Sequence, residues 1–178
     1  GDAYKFNKVA FLLIEKYKNE ALRASVYFIF ATFISHWKKH YSEGLEYFDL
    51  SIKSGTETGD IIHSFWANTY KLDHLFFIGT NLKEYKLELE KTEKLLASHN
   101  AMLLLPFVSL MKHVVNQFQS AYNFEMENYI LVKIKQENNM TGAFKFGHFN
   151  VIINFILGNY DTAFNWVEFT ETYIQAGT

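Results

Sequence analysis

The sequence has no cysteine and only one proline among its 178 residues. Without cysteine, the chain can form neither a disulfide nor a thiolate that would act as a nucleophile or metal ligand. One proline and nine glycines are few turn residues for a fold of many short strands, which needs a turn about every 8–12 residues. The composition therefore favours helices joined by short connections.

The sequence also lacks an excess of charge of one sign. Lysine and arginine total 17 against 19 acidic residues, which gives a net charge of −2. A nucleic-acid-binding face needs concentrated positive charge, so we expect no nucleic acid partner. The longest uncharged stretch at helical period, 24–37, is shorter than the ~20 residues of a membrane span. We therefore expect a cytoplasmic protein with no membrane contact.

Large aromatic side chains are abundant, with 18 Phe, 11 Tyr and 3 Trp, and hydrophobic residues make up 49% of the chain. Apolar residues recur at intervals of three and four, the period of an α-helix, and not at intervals of two. We predict an all-α fold of about nine helices. Their predicted ranges are 3–17, 21–37, 42–54, 60–78, 82–97, 99–118, 127–136, 141–157 and 161–175.

Several helix boundaries follow from residue type. Polar side chains that can accept a backbone N–H bond predict N-caps at Ser42, Asn81 and Asp161. Glycine is the residue that most readily takes a left-handed conformation, so helices are expected to stop at Gly55, Gly79 and Gly158. Pro106 removes one backbone donor and is expected to kink the sixth helix.

Two apolar stripes are expected to face the core. The first helix places five apolar residues on one side: Phe6, Val9, Ala10, Leu13 and Ile14. The second helix carries an aromatic stripe that is far more typical of a core than of a cofactor site: Tyr27, Phe28, Phe30, Phe33 and Trp37.

An internal repeat is visible at the starts of two helices. The segments YSEGLEYF (41–48) and YDTAFNWV (160–167) align without gaps, and LKEY (82–85) begins a weaker copy. A period of about forty residues with two helices per unit predicts an α-solenoid of helix pairs. Gly44 and Ala163 would allow close helix crossings. We expect a single helical-repeat domain over 1–178, part of a longer array.

The segment GNYDTAF (158–164) resembles the turn and second-helix start of a tetratricopeptide repeat. The period exceeds the family's ~34 residues, which makes these irregular repeats. FISHW (33–37), Glu43, GTETGD (55–60) and FIGTNL (77–82) are also similar to the helical region of large bacterial signalling proteins. In those proteins a serine/threonine kinase-like domain and an AAA-like ATPase precede the repeats. The resemblance implies a regulatory scaffold, and it transfers no catalytic residue.

The residues themselves give no argument for an enzyme. His36 and His40 lie four residues apart but near an expected helix end, without an obvious third metal ligand. Asp60 and His63 have the spacing of one half of a di-iron motif whose second half is missing. No phosphate-binding glycine loop or nucleophile elbow occurs. We expect no catalytic residue, metal or cofactor.

A surface is the remaining candidate for function. In stacked helix pairs, the first helix of each pair lines a concave groove. Here those helices are the second, fourth, sixth and eighth, and their polar stripes hold the candidate binding residues Asn68, Lys71, Lys112, Asn116, Lys145 and His148. Asn would bond the backbone of an extended peptide, and Lys would bind its carboxylates. The alternative is that these stripes are simply the solvated sides of amphipathic helices.

Two functional classes stay open at this point. The first is a scaffold that couples neighbouring domains of a signalling kinase and ATPase. The second is a freestanding adaptor or peptide-sensing regulator that binds protein or peptide. Exposed ends of the array would also allow the chain to self-associate.

Overall fold

A computed structural model describes residues 2–101, 103–119 and 124–176. This part of the chain contains nine α-helices and no β-strand, which confirms the all-α prediction. The chain divides into two compact units, one ending at Leu104 and the other beginning at Leu105. The single domain predicted over 1–178 and its place in a longer array stay predictions.

The first unit contains five α-helices and a distorted continuation of the second. Helix α2 passes into a π-helical turn, Phe30–Ile34, and then a 3₁₀ turn, Ser35–Trp37. A further 3₁₀ turn, Glu20–Leu22, precedes it. The five helices are α1 Asp2–Tyr17, α2 Arg23–Ile29, α3 Tyr41–Thr58, α4 Ile61–Phe77 and α5 Leu82–Ser98.

Helix α3 lies at the centre of this unit and packs against both α2 and α4. Its buried Phe48 joins a core cluster with Phe28, Ala31 and Ala67. The buried hydroxyl of Ser51 donates a 2.8 Å hydrogen bond to the carbonyl oxygen of Ala24 in α2. The shared apolar core and the buried hydrogen bond of Ser51 together fix α2 and α3 against each other, with α4 packed on α3.

Gly44 permits close approach of α3 and α4, as the sequence predicted. It is buried, and a Cβ atom there would lie 3.1 Å from Cδ2 of His74. Gly55, in contrast, does not end α3. It lies buried within the helix, where a Cβ would meet the start of α4, and Gly59 ends the helix with φ of 82°.

The second unit contains α6 Leu105–Gln117, α7 Phe124–Gln136, α8 Met140–Ile156 and α9 Tyr160–Glu171, followed by a 3₁₀ turn, Ile174–Ala176. Its core is formed by apolar residues of these helices: Phe107, Val108, Leu110, Met111, Val114, Val115, Ile130, Phe146, Phe149, Ile153 and Ala163. Helices α8 and α9 pack closely at Gly147, where a Cβ would overlap the hydroxyl of Thr170.

The predicted kink at Pro106 is wrong, because α6 begins at Leu105 and not near His99. Proline is favoured in the first turn of a helix, where its missing N–H would have no helical partner. The residue before proline is also disfavoured in a helix interior. Pro106 therefore marks where α6 starts.

The predicted helix ends were partly right. Asn81 caps α5 by accepting a 2.9 Å bond from the backbone N of Lys83, and Gly79 and Gly158 have positive φ. Ser42 and Asp161 are not N-caps: His40 caps α3 through its Nδ1, and Asn159 precedes α9. Among the residues that the structure describes, three non-glycine residues also have positive φ at helix ends: Lys18, Asn100 and Asn138.

Candidate functional site

The two predicted groove residues of the first unit lie on α4 and use their polar groups within the unit. The side-chain amide of Asn68 donates a 2.9 Å hydrogen bond to the carbonyl oxygen of Ser64. The Nζ atom of Lys71 lies 2.6 Å from Oδ1 of Asp49 on α3. Ser64 is itself buried. Lys71 thus links α4 to α3.

The other four predicted groove residues lie on α6 and α8, which contact each other in the second unit. The Nζ atom of Lys145 lies 5.4 Å from the centre of the Phe107 ring. Further along both helices, His113 stacks on Phe146 at 6.1 Å. Four residues further along each helix, Gln117 bonds to Asn150, so α6 and α8 run in the same direction.

The predicted polar residues of α6 lie on the less buried side of that helix. Most residues of this helix are buried, and Ser109, Lys112 and Asn116 are half-buried on the remaining side. On α8, Lys145 is half-buried and His148 is exposed, with its ring stacked on Phe144 at 5.8 Å. Amide, ammonium and imidazole groups beside aromatic rings can bind the backbone and acidic side chains of a peptide.

A chain of buried polar side chains lies beneath this stripe. The Gln117 side-chain nitrogen lies 2.8 Å from Nε2 of His113 and donates a 3.1 Å bond to Oδ1 of Asn150. Nε2 of His113 is also 3.5 Å from Oε2 of Glu127 on α7. Buried, mutually bonded polar groups specify one arrangement of α6, α7 and α8. Sequence reasoning missed this network, because one sequence does not indicate which polar residues meet in space.

A second buried group lies between α3 and α4. His74 packs against Tyr41 at 4.7 Å and against Phe48 at 4.8 Å, and its Nδ1 lies 3.4 Å from the carbonyl oxygen of Tyr70. Burial lowers the pKa of His74 to about 4. Burial also lowers the pKa of His36, whose ring stacks on Tyr41 at 5.5 Å. His74 is therefore neutral at neutral pH and acts as part of the core.

His40 and His63, two of the histidines with metal-ligand spacing, have local structural roles. His40 caps α3, and Nδ1 of His63 lies 2.8 Å from Oδ2 of Asp60 at the start of α4. Within residues 2–101, 103–119 and 124–176, no three His, Asp or Glu side chains form a group suited to a metal ion.

Helix α1 exposes apolar residues that were expected to face the core. Its buried side is formed by Asn7 and Ile14 together with Phe11, whose ring contacts Tyr27, Phe30 and Tyr47. The opposite side, here called the basic apolar face, is exposed and consists of Lys5, Phe6, Val9, Leu12, Leu13 and Lys16. Phe6 is 74% exposed. Of the predicted inward stripe, only Ile14 is buried.

Helix α9 exposes a second apolar surface, of opposite charge. The acidic aromatic face consists of Phe155, Tyr160, Asp161, Phe164, Glu168 and Glu171, all exposed. The Phe155 and Tyr160 rings contact each other at 5.5 Å. Residues 155–176 contain three acidic residues and no Lys, Arg or His. Contiguous exposed apolar surfaces of this kind are typical of binding sites.

Comparison with known proteins finds no matching family model, no matching curated protein and no matching solved structure. In the part of the chain that the structure describes, each helix is too short or too polar to cross a membrane.

Proposed function

We propose that this chain is a non-catalytic, cytoplasmic helical-repeat scaffold that binds protein through the side of α6 and α8 that carries Lys112, Asn116, Lys145 and His148. The proposal rests chiefly on the parallel course of these two helices. This parallel course places the polar stripes of two sequence-distant helices in one compact unit.

The helix contacts support the solenoid arrangement. Gln117 on α6 bonds to Asn150 on α8, 33 residues later, which is shorter than the repeat of about forty residues predicted from the helix starts and close to the ~34 residues of tetratricopeptide repeats. In the first unit, Phe28 contacts His63, and Phe33 contacts Tyr70. Helices α2 and α4 therefore also run in the same direction. Parallel first helices of successive pairs are what a helical solenoid requires.

The bound segment is expected to be extended and acidic. Lys112 and Lys145 would bind its carboxylates, and Asn116 would bond its backbone. Following the resemblance to bacterial signalling proteins, the segment would belong to a neighbouring domain of a signalling kinase and ATPase. A freestanding adaptor that binds a separate peptide is the alternative, and it uses the same surface.

Selection from a peptide-display library against the purified chain tests the binding surface. We expect acidic peptides to be enriched, and their binding to fall at least about tenfold in Lys112→Ala/Lys145→Ala, a loss of about 1.4 kcal/mol. The matched control is Lys94→Ala/Lys135→Ala, which removes two exposed lysines on α5 and α7. Failure to enrich acidic peptides, or equal binding by both double variants, would exclude this surface.

The asparagines provide a second test. Asn116→Ala is expected to weaken peptide binding and to leave the melting temperature nearly unchanged. Asn68→Ala, on α4 of the first unit, is the comparison, since its amide already bonds to the carbonyl oxygen of Ser64. Unchanged binding in Asn116→Ala would show that this asparagine is not part of the site.

A further inference from the structure

Helices α3 and α9 share a sequence motif, and in α3 one side of that motif is covered by α4. Tyr41 packs against His74 at 4.7 Å and against Phe77 at 5.3 Å, both on α4. Two turns later, Oδ1 of Asp49 accepts a 2.6 Å hydrogen bond from Nζ of Lys71, also on α4. The motif thus presents an aromatic ring and a carboxylate to an amphipathic helix that supplies aromatic residues and a lysine.

The residues of α9 equivalent to Tyr41 and Asp49 are exposed, whereas Ala163, the equivalent of Gly44, is buried. Continuing the gapless alignment places Tyr160 at the position of Tyr41 and Glu168 at that of Asp49. Tyr160 and Phe164 are each 63% exposed. Glu168 is exposed, and within the described residues it forms no ion pair with a basic side chain. The acidic aromatic face therefore repeats the chemistry of a helix-binding surface that is occupied on α3.

The basic apolar face of α1 has the complementary chemistry. It exposes Phe6, Val9 and Leu13 along one line, with Lys5 and Lys16 beside them. Residues 2–18 contain four lysines and two acidic residues. With 16 residues, α1 is about 24 Å long, enough to lie along all 12 residues of α9.

We propose that the basic apolar face of one copy docks on the acidic aromatic face of a second copy, as α4 docks on α3 within one chain. Phe6, Val9 and Leu13 would cover Tyr160 and Phe164, and lysines of α1 would lie opposite Glu168 and Glu171. The contact joins two different surfaces, so it is heterologous. In such a pair, one copy keeps a free α9 face and the other a free α1 face, so a further copy can add at either end.

Other binding partners would match only one of the two exposed faces. Pairing of two α1 helices would bring lysines against lysines, which is repulsive. A membrane with anionic lipids would suit α1, but it would repel the three carboxylates of the acidic aromatic face. Only a partner that carries both chemistries uses both faces, and the chain itself is such a partner.

Two blocked variants test the proposal. Phe6→Glu/Leu13→Glu disables the face on α1, and Phe164→Gln/Glu168→Gln disables the face on α9 without creating a positive charge that could attract the new glutamates of the other variant. All four residues are exposed, so both variants are expected to fold, which circular dichroism checks. Sedimentation velocity of the wild type is expected to show association that increases with concentration and weakens with salt.

Each blocked variant alone is expected to be monomeric, whereas a mixture of the two is expected to form a 1:1 dimer and nothing larger. In the mixture, one copy retains its α9 face and the other its α1 face, so one contact remains. The matched control is Leu87→Glu, which places the same charge at a 53% exposed position of α5 outside both faces and is expected to associate like the wild type.

A wild-type chain that stays monomeric up to about 1 mM would overturn the proposal. So would a mixture that stays monomeric, or an α9-blocked variant that still dimerises, which would indicate α1 pairing. Binding of the α1 face to vesicles with anionic lipid, without self-association, would favour the membrane instead. None of these substitutions touches Lys112 or Lys145, so the result does not depend on the proposed peptide site.

Discussion

Helices α3 and α9 begin with the same pattern but lie in different surroundings. In α3, the pattern is covered on one side by α2 and on another by α4, and Tyr41 contacts residues of α4. In α9, the main packing partner is α8, and Tyr160 is mostly exposed. A repeated motif therefore specifies which surfaces a helix can bury, and its neighbours decide which of them are buried.

The largest expected difference between the surroundings of α3 and α9 depends on pH, because His74 of α4 packs against α3. Burial lowers the pKa of His74 from 6.5 to about 4; His36 shifts it in the same direction and Asp73 in the opposite one. The folded chain then binds this proton less well than the unfolded chain does. The stability contributed by neutral His74 is complete above pH 6.5 and is lost as the pH falls towards 4, by about 3 kcal/mol.

Trp66 on α4 and Trp166 on α9 are suitable fluorescent probes of this loss. We expect acid unfolding to be reported first by Trp66. The control is a substitution at an exposed position that removes no titratable group: Leu87→Gln should leave the pH dependence unchanged, whereas His74→Gln should flatten it. Equal slopes in these two variants would contradict a role for His74.

The next largest expected difference is in how much stability is lost when a methyl group is added at two close helix crossings, that of α8 with α9 at Gly147 and that of α3 with α4 at Gly44. An added methyl group at Gly147 would overlap the Thr170 hydroxyl and lie 2.9 Å from Cδ1 of Phe169, whereas at Gly44 the nearest atom is 3.1 Å away in the His74 ring. We expect Gly147→Ala to lower the free energy of unfolding by about 2 kcal/mol. Gly44→Ala should cost less than about 1 kcal/mol, because alanine favours the helix over glycine by a similar amount. Urea unfolding measures both, and equal losses would show that the two crossings are equally tight.

The aligned tyrosines allow a direct comparison. Tyr41→Ala is expected to cost about 2 kcal/mol, because it removes contacts with His36, His74 and Phe77. Tyr160→Ala should cost less than about 0.5 kcal/mol, as for most exposed positions. Thermal unfolding at low protein concentration measures the two variants without self-association. A large loss at Tyr160 would mean that α9 is covered in the free chain.

The smallest expected effect concerns the aligned carboxylates. Asp49→Asn should cost about 0.5 kcal/mol, since its ion pair with Lys71 is partly exposed. Glu168→Gln should leave the stability of the dilute chain unchanged. The difference between the two variants should shrink in high salt, where the pair at Asp49 is screened. Persistence of the difference in high salt would attribute it to packing and not to charge.

The sequence predicted the helices well and their surroundings less well. Periodicity located nine helices, and the close crossing at Gly44 followed from residue size. The boundary at Pro106 was misplaced because proline has opposite effects in the first turn and in the interior of a helix. The inward side of α1 was misjudged because its apolar residues cover more than half of the helix circumference. Periodicity then cannot decide which part of that surface meets a neighbour.

The candidate groove residues lie on the helices that the sequence predicted, but the sequence did not predict which contacts they make. Whether Lys71 faces a peptide or Asp49 depends on a contact between positions 22 residues apart. The charge of the exposed faces was readable from the sequence, since Lys5 and Lys16 interrupt the apolar stripe of α1. Their significance emerges only when the exposed side of α9 is known.

The π-helical turn Phe30–Ile34 has a consequence for how this helix tolerates changes in length. A π-helical turn contains more residues than an α-helical turn, and most such turns behave as one residue inserted into an α-helix. The aromatic stripe predicted for a regular helix is buried at Phe28 and at Phe30, where the turn begins, but exposed at Phe33 within the turn and at Trp37 after it. Deleting one residue within the turn would restore regular winding and carry the following side chains round the axis. The turn thus acts as a spacer, and its single surplus residue sets which aromatic rings reach solvent.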